Sequence, residues 1–150
     1  MTTWPPKIIL HPTDFSPNAE QALKLACQIA ESANATIVVL HAYMIEALST
    51  GDLPVIPHEM VSEEDVRRKL RQILESKSGL KIEDMFIEGT PVETIVSKAQ
   101  SCHADLIVMG TYGRTGFKRL FLGSVADHVL RRAPCPVLIV PLSPESNVKG

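Results

Sequence analysis

Residues 104–140 read ADLIVMGTYGRTGFKRLFLGSVADHVLRRAPCPVLIV. Leu106-Ile107-Val108-Met109 is a strand-like apolar run. It gives way abruptly to Gly110, Gly113 and Gly116, with Thr111, Arg114 and Thr115 between them. After Leu120-Phe121-Leu122 come Gly123 and Ser124, then a helical run from Val125 to Arg132. A last apolar run, Val137–Val140, is bracketed by Pro134, Pro136 and Pro141. The order is strand, glycine loop, helix, strand, which is one unit of an α/β sheet.

Such a loop has a physical use. Glycine reaches positive φ and lets main-chain N–H groups approach a ligand closely. A helix that begins just beyond Gly123-Ser124 adds unpaired N–H groups and the positive end of its dipole. Together they make a phosphate site, to which Ser124 would add a hydroxyl donor. Glycine count alone leaves a second reading open, in which the glycines only make turns.

The spacing is more informative. Gly110-x2-Gly113-x9-Gly123-Ser124 is the G-x2-G-x9-G-[ST] pattern of the ATP-binding branch of the universal stress protein family. His11-Pro12-Thr13-Asp14-Phe15-Ser16 resembles that family's first strand–loop junction. Glu88-Gly89-Thr90-Pro91, the run from Ala104 to Gly110, and Ala133-Pro134-Cys135-Pro136-Val137 resemble its later landmarks, in the family's order. The resemblance covers nearly the whole chain.

It implies a single Rossmann-like, three-layer α/β domain. Five parallel strands in the order 3-2-1-4-5 would carry four helices on both faces. It also implies an adenine-nucleotide pocket at the switch between strands 1 and 4. Gly110, Gly113, Gly123, Ser124 and Val125 would hold the phosphates and ribose, largely through backbone, with Arg114 and Gly116 in the same loop. Asp14, Ala42 and Met109 would surround the ribose and base, and Pro12 and Thr13 would also belong to the nucleotide site. Ala42 departs from the family, in which this position is usually larger. The implied ligand is ATP, or AMP or ADP, with Mg carried on the phosphates. The last strand, Val137, Leu138, Ile139 and Val140, would form a homodimer interface. The implied function is a nucleotide-dependent regulatory switch in the stress response, acting on an unspecified protein partner, with at most slow ATP hydrolysis. Two alternatives stand beside it. One is a nucleotide hydrolase or phosphotransferase, and the other a dimeric interaction module without nucleotide.

Composition bounds these readings. The 150 residues are 45% hydrophobic and 21% charged, with a net charge of −2, as in one globular domain. That balance gives no reason to expect nucleic-acid binding. No apolar stretch approaches the roughly 20 residues that span a bilayer, and Met1–Lys7 lacks the features of a secretory signal. Cys27, Cys102 and Cys135 include no C-x-x-C pair and read as reduced thiols, which places the chain in the cytoplasm.

From the N-terminus, Lys7–Leu10 is continuously apolar beyond Lys7, as suits a strand buried on both faces. Ser16 before Pro17 is an N-cap signal, and Ala22, Leu25, Ala26, Ile29 and Ala33 recur at helical spacing. Asp14 would lie at the carboxyl end of the first strand. It reads either as a nucleotide contact or as a turn-forming acid. His11 reads as a packing or hydrogen-bonding group. Thr36–Leu40 is the second strand. Residues 44–60 carry Gly51, Pro54 and Pro57 and read as an irregular flap, where His58 and Glu59 are weak acid–base candidates. Ser62 should start a helix with Val66, Leu70, Ile73 and Leu74 inward and Gly79 as its cap. Ile82–Ile87 reads as an edge strand. Thr90-Pro91-Val92-Glu93 reads as a capping box. Residues 1–6 and 143–150 read as loose tails.

Sharper motifs are missing. There is no G-x-x-x-x-G-K-[ST], no G-x-G-x-x-G after the first strand, no G-x-S-x-G and no H-E-x-x-H. Lys118, Arg119 and Arg114 are the cations in and beside the glycine loop.

Overall fold

A computed structural model of the chain describes residues 2–43, 63–75, 79–111 and 122–142. Strands and helices alternate as β1 (Ile8–Pro12), α1 (Pro17–Ala33), β2 (Thr36–Tyr43), α2 (Glu63–Leu74), β3 (Lys81–Glu88), α3 (Pro91–Ser101), β4 (Leu106–Gly110), α4 (Ser124–Arg132) and β5 (Val137–Val140). All five strands are parallel, in the order β3-β2-β1-β4-β5. The order reverses direction at β1 and β4, which places a topological switch point between them.

The strands are apolar at successive positions because both faces are covered. Ile9, Ile37, Val39 and Val108 pack with Ala22, Leu23, Ala26, Cys27 and Ala30 of α1 and with Leu70 of α2. Leu10, Val38, Leu40 and Ile107 pack on the other side with Ile95 and Ala99 of α3 and Ala126 and Val129 of α4. Each fully buried Ile or Leu contributes about 1.5–3 kcal/mol. Small residues on α1 let that helix lie close to the central strands.

The helix signals succeed unevenly. In α1 the Ser16 hydroxyl accepts from Ala19 N at 3.2 Å, Pro17 opens the first turn, and Asn34 closes the helix at φ 53°. Thr90 occupies the N-cap of α3 ahead of Pro91, yet it makes no side-chain cap. Its expected partner Glu93 is engaged elsewhere, in a two-pronged pair with Arg132 of α4 at 2.5 and 3.0 Å. A planar guanidinium matches a carboxylate better than one backbone N–H does. Gly79 has φ +98° but lies well past Leu74, so it turns the chain towards β3 and does not cap α2. Leu70 and Leu74 face the core as their spacing predicts, whereas Ser62 and the side chains of Val66 and Ile73 lie outside the described residues.

Within residues 1–6, expected as a loose tail, Thr3 is hydrogen-bonded and Pro6 is buried, while Trp4 is 73% exposed. The Asp105 carboxylate accepts from Thr3 N at 3.0 Å, Lys7 N at 2.9 Å and Ile8 N at 3.1 Å, and Pro6 is buried. Asp105 thus straps the N-terminal segment across the amino edge of the sheet. The cysteines are free thiols, Cys27 buried and Cys102 and Cys135 half-buried. Burial pushes the Cys135 thiol up to about 11, and the nearby Cys102 and Asp105 act in the same direction, so it stays protonated at neutral pH. Among the described residues no helix is long and apolar enough to cross a membrane.

Candidate functional site

The site begins where two strands stop pairing. β1 stays in register with β2 as far as Pro12 opposite Leu40, but its pairing with β4 ends at Leu10 opposite Ile107. A crevice at the carboxyl edge follows from that early end. The next carbonyl on β4, Val108 O, is met by the His11 ring at 2.9 Å. His11 is fully buried, and burial pushes its pKa down to about 4 against smaller opposing effects of the Val108 carbonyl and Asp14. The imidazole is therefore neutral. Its Nδ1–H donates to Val108 O, and Nε2 is buried without a hydrogen-bond partner among the described residues.

The β1–α1 turn is fixed from several sides. Thr13 N donates to Leu40 O at 2.9 Å, Phe15 N to the Thr13 hydroxyl at 3.1 Å, and Ser16 N to Asp14 Oδ1 at 2.9 Å. Phe15 sits at φ 62°, a backbone region that a bulky residue rarely adopts. Its ring lies 5.1 Å from that of His41, whose Nδ1 is 3.1 Å from Thr13 O. His41 in turn meets Phe86 edge-on at 5.5 Å, and Arg67 lies 5.2 Å over the Phe86 ring. These contacts hold the left-handed residue in place. The turn-forming role considered for Asp14 is realised, at a position on the rim of the crevice.

Across the crevice, Gly110 ends β4 beside Asn18 of α1. A Cβ at Gly110 would stand 2.5 Å from Asn18 Oδ1, so this close approach is what excludes a side chain there. Thr111 O accepts from Gly123 N at 2.8 Å, which ties the end of β4 to the start of α4. Gly123 is the N-cap of α4 and offers no side-chain cap; the helix therefore starts with main-chain N–H groups facing the loop end. Ser124 is exposed at this helix start, and Val125 packs partly on the α3–α4 core. Asp127, in the first turn, is paired with Arg131 at 3.2 Å.

The other sequence-predicted residues fall as follows. Pro12 ends β1, and Ala42 is half-buried in β2 opposite Ile87. The Met109 side chain is buried in the α3–α4 core, which leaves its main chain at the strand end. Gly113, Arg114, Gly116, Lys118, Arg119, the 44–60 flap with His58 and Glu59, and the 143–150 tail lie outside the described residues. Val137–Val140 is a sheet edge as expected, with Leu138 partly exposed on it. A hollow of about 190 Å³ opens beside Thr13 and Phe15 on the α1–α2 side, lined also by Leu23, Lys69 and Leu70. It is small for a nucleotide. Among the described residues no group of three His, Cys, Asp or Glu is set to hold a metal.

Sequence reasoning missed Asn18. It is 4% exposed, donates from Nδ2 to Val140 O at 2.9 Å, and its Oδ1 lies 3.3 Å from the Thr111 hydroxyl. An asparagine directly after Pro17 in a first helical turn is the signal that was available, and it is weak.

These features define a doubly wound α/β domain with a topological switch point between β1 and β4. A sequence model of the universal stress protein family matches residues 6–141, and the chain belongs to that family. It is 38% identical over 141 residues to universal stress protein MJ0531 of Methanocaldococcus jannaschii, covering 89% of this chain and 81% of that protein. The structure of MJ0577, from the same organism, superposes with a TM-score of 0.72 at 30% identity, over 91% of this chain and 96% of that one. A universal stress protein in complex with cAMP superposes with a TM-score of 0.67 at 27% identity, over 90% and 96%. A further relative, from Archaeoglobus fulgidus, is in complex with dAMP, with a TM-score of 0.59 at 25% identity over 89% and 96%.

Proposed function

We propose that this chain binds ATP, with Mg carried on the phosphates, and acts as a nucleotide-dependent switch in the stress response. The observation that carries the reading is the convergence of two segments far apart in sequence on the switch point. The Asp14 turn leaves β1 where its pairing with β4 has ended, and the Thr111 O–Gly123 N bond joins the end of β4 to the start of α4. Gly110, Gly113, Gly123, Ser124 and Val125 would supply phosphate and ribose contacts, with Arg114 and Gly116 in the same loop. Pro12, Thr13, Asp14, Ala42 and Met109 would border the ribose and base. Relatives in complex with cAMP and dAMP support an adenine nucleotide as the ligand class. No general base is evident among these residues, so hydrolysis would be slow. Ligand-ordered loops would instead change which protein partner is recognised in the cytoplasm.

The test is mass spectrometry of small molecules released on denaturing fresh protein, paired with calorimetric titration of ATP with and without Mg. Asp14→Asn retains an oxygen for Ser16 N while removing the charge, and Gly113→Val crowds the loop. Each is expected to weaken ATP at least about tenfold, the worth of one good polar contact. Unchanged affinity in both would sink the site assignment.

We also propose a two-fold dimer through β5, which is the outermost strand among the described residues and presents Leu138. Light scattering at micromolar concentration should give the mass of two chains, and Leu138→Arg should give the mass of one. A single-chain mass for the wild type would remove the proposal.

A further inference from the structure

One polar side chain connects three parts of this site that are far apart in sequence. Asn18 is in the first turn of α1, four residues after Asp14, and is 4% exposed. Its Nδ2 donates to the carbonyl of Val140, the last residue of β5, at 2.9 Å. Its Oδ1 receives the Thr111 hydroxyl at 3.3 Å, and the same hydroxyl lies 3.3 Å from Val140 O. Gly110 packs so closely on Oδ1 that any Cβ would overlap it. Thr111 in turn gives its carbonyl to Gly123 N, the residue that caps α4.

We propose that Asn18 is a positioning residue for the nucleotide pocket. It fixes the peptide at which the chain leaves β4, and through Thr111 the closing bond of the glycine loop and the start of α4. The same amide holds the end of β5. The proposal rests on the nucleotide reading of the site. A buried amide suits this task because it donates in one direction and accepts in the other within a single rigid group. An apolar replacement would leave the Val140 carbonyl without its amide donor and the Thr111 hydroxyl without its Oδ1 acceptor. A pocket that must present N–H groups at fixed points is sensitive to sub-ångström shifts in such a support.

The experiment uses the full chain and three variants, Asn18→Ala, Thr111→Val and the double variant. ATP affinity is measured by calorimetry well below each melting temperature, and amide exchange is followed at Gly123. Asn18→Ala is expected to weaken ATP about tenfold, and Thr111→Val about threefold. In the double variant Thr111→Val should add less than about 1.5-fold, because its partner is already gone. Exchange at Gly123 should rise about tenfold in Asn18→Ala, beyond the change at Val39 in the core, which reads global stability. Thr111→Val exchanges a hydroxyl for a methyl of similar size and keeps the test available if Asn18→Ala folds poorly. Wild-type affinity in both single variants, or losses that multiply in the double variant, would overturn the proposal while the pocket stands. Wild-type protein that binds no adenine nucleotide would defeat the pocket reading, and this proposal with it.

Discussion

Lowering the pH from 6.5 to 4 is expected to remove about 3 kcal/mol of folding stability through His11 alone. In the unfolded chain this imidazole takes up its proton near 6.5, whereas burial in the folded protein delays uptake to about 4. Between those values the unfolded state binds more protons than the folded state. Stability is therefore complete above about 6.5 and is lost as the pH falls towards the folded value. The physical cause is visible in the ring's surroundings. Protonation would place a charge and a second N–H donor at Nε2, where no acceptor lies among the described residues. His11→Gln keeps a side chain that can donate to Val108 O and removes the titration. Urea unfolding at pH 7.5, 5.5 and 4.5 should show the wild type losing its margin over the variant, the difference narrowing by about 2–3 kcal/mol. Carboxylates common to both proteins cancel in that comparison. Parallel stability curves would show that His11 does not titrate as its burial demands.

His11 also marks the boundary of what the sequence made legible. Its place at a strand end and its hydrogen-bonding role could be read, because strand 1 is short and apolar and Pro12 ends it. That the ring takes over a carbonyl left by the end of β1–β4 pairing could not be read, since it depends on the register of strands about a hundred residues apart. The same division runs through the fold. Alternating apolar runs and helical stripes give the layers, and the strand order followed from the family resemblance. Ser16-Pro17 gives the start of α1 because its partner is three residues away. Thr90-Pro91-Val92-Glu93 carries an equally good local signal, yet Glu93 is taken by Arg132 on another helix, and local reading has no access to that competitor. In the site, Gly110 was read as a loop glycine that lets backbone approach a ligand or makes a turn, and its packing against a side chain could not be read. That side chain is the Asn18 amide, and only the packing of α1 on β4 brings the two together.

Replacing Asp105 by alanine is expected to cost about 4 kcal/mol and to lower the melting temperature by about 8–16 °C. Three backbone N–H groups, those of Thr3, Lys7 and Ile8, converge on this one buried carboxylate. Hydrogen bonds to a charged acceptor contribute about 1.5–3 kcal/mol each, and the segment they order offsets part of the total. Asp105→Asn is not a mild substitute, because its NH2 group would face N–H donors where an oxygen now accepts. Burial alone would raise the Asp105 pKa, but the hydrogen bonds from Lys7, Thr3 and Ile8 outweigh it and hold the carboxyl below its ordinary value. A lowered carboxylate stabilises the fold above its unfolded value of about 3.9 and loses that contribution as the pH falls through the folded one. The variant's stability should therefore fall less steeply than the wild type's below about pH 4. Because the strap lies at the amino edge of the sheet, opposite the crevice, ATP affinity measured well below melting should remain within about twofold of wild type. A melting temperature within about 2 °C of wild type would mean that the strap contributes little. Intact stability with lost ATP binding would instead place Asp105 in the site, against the geometry of β4.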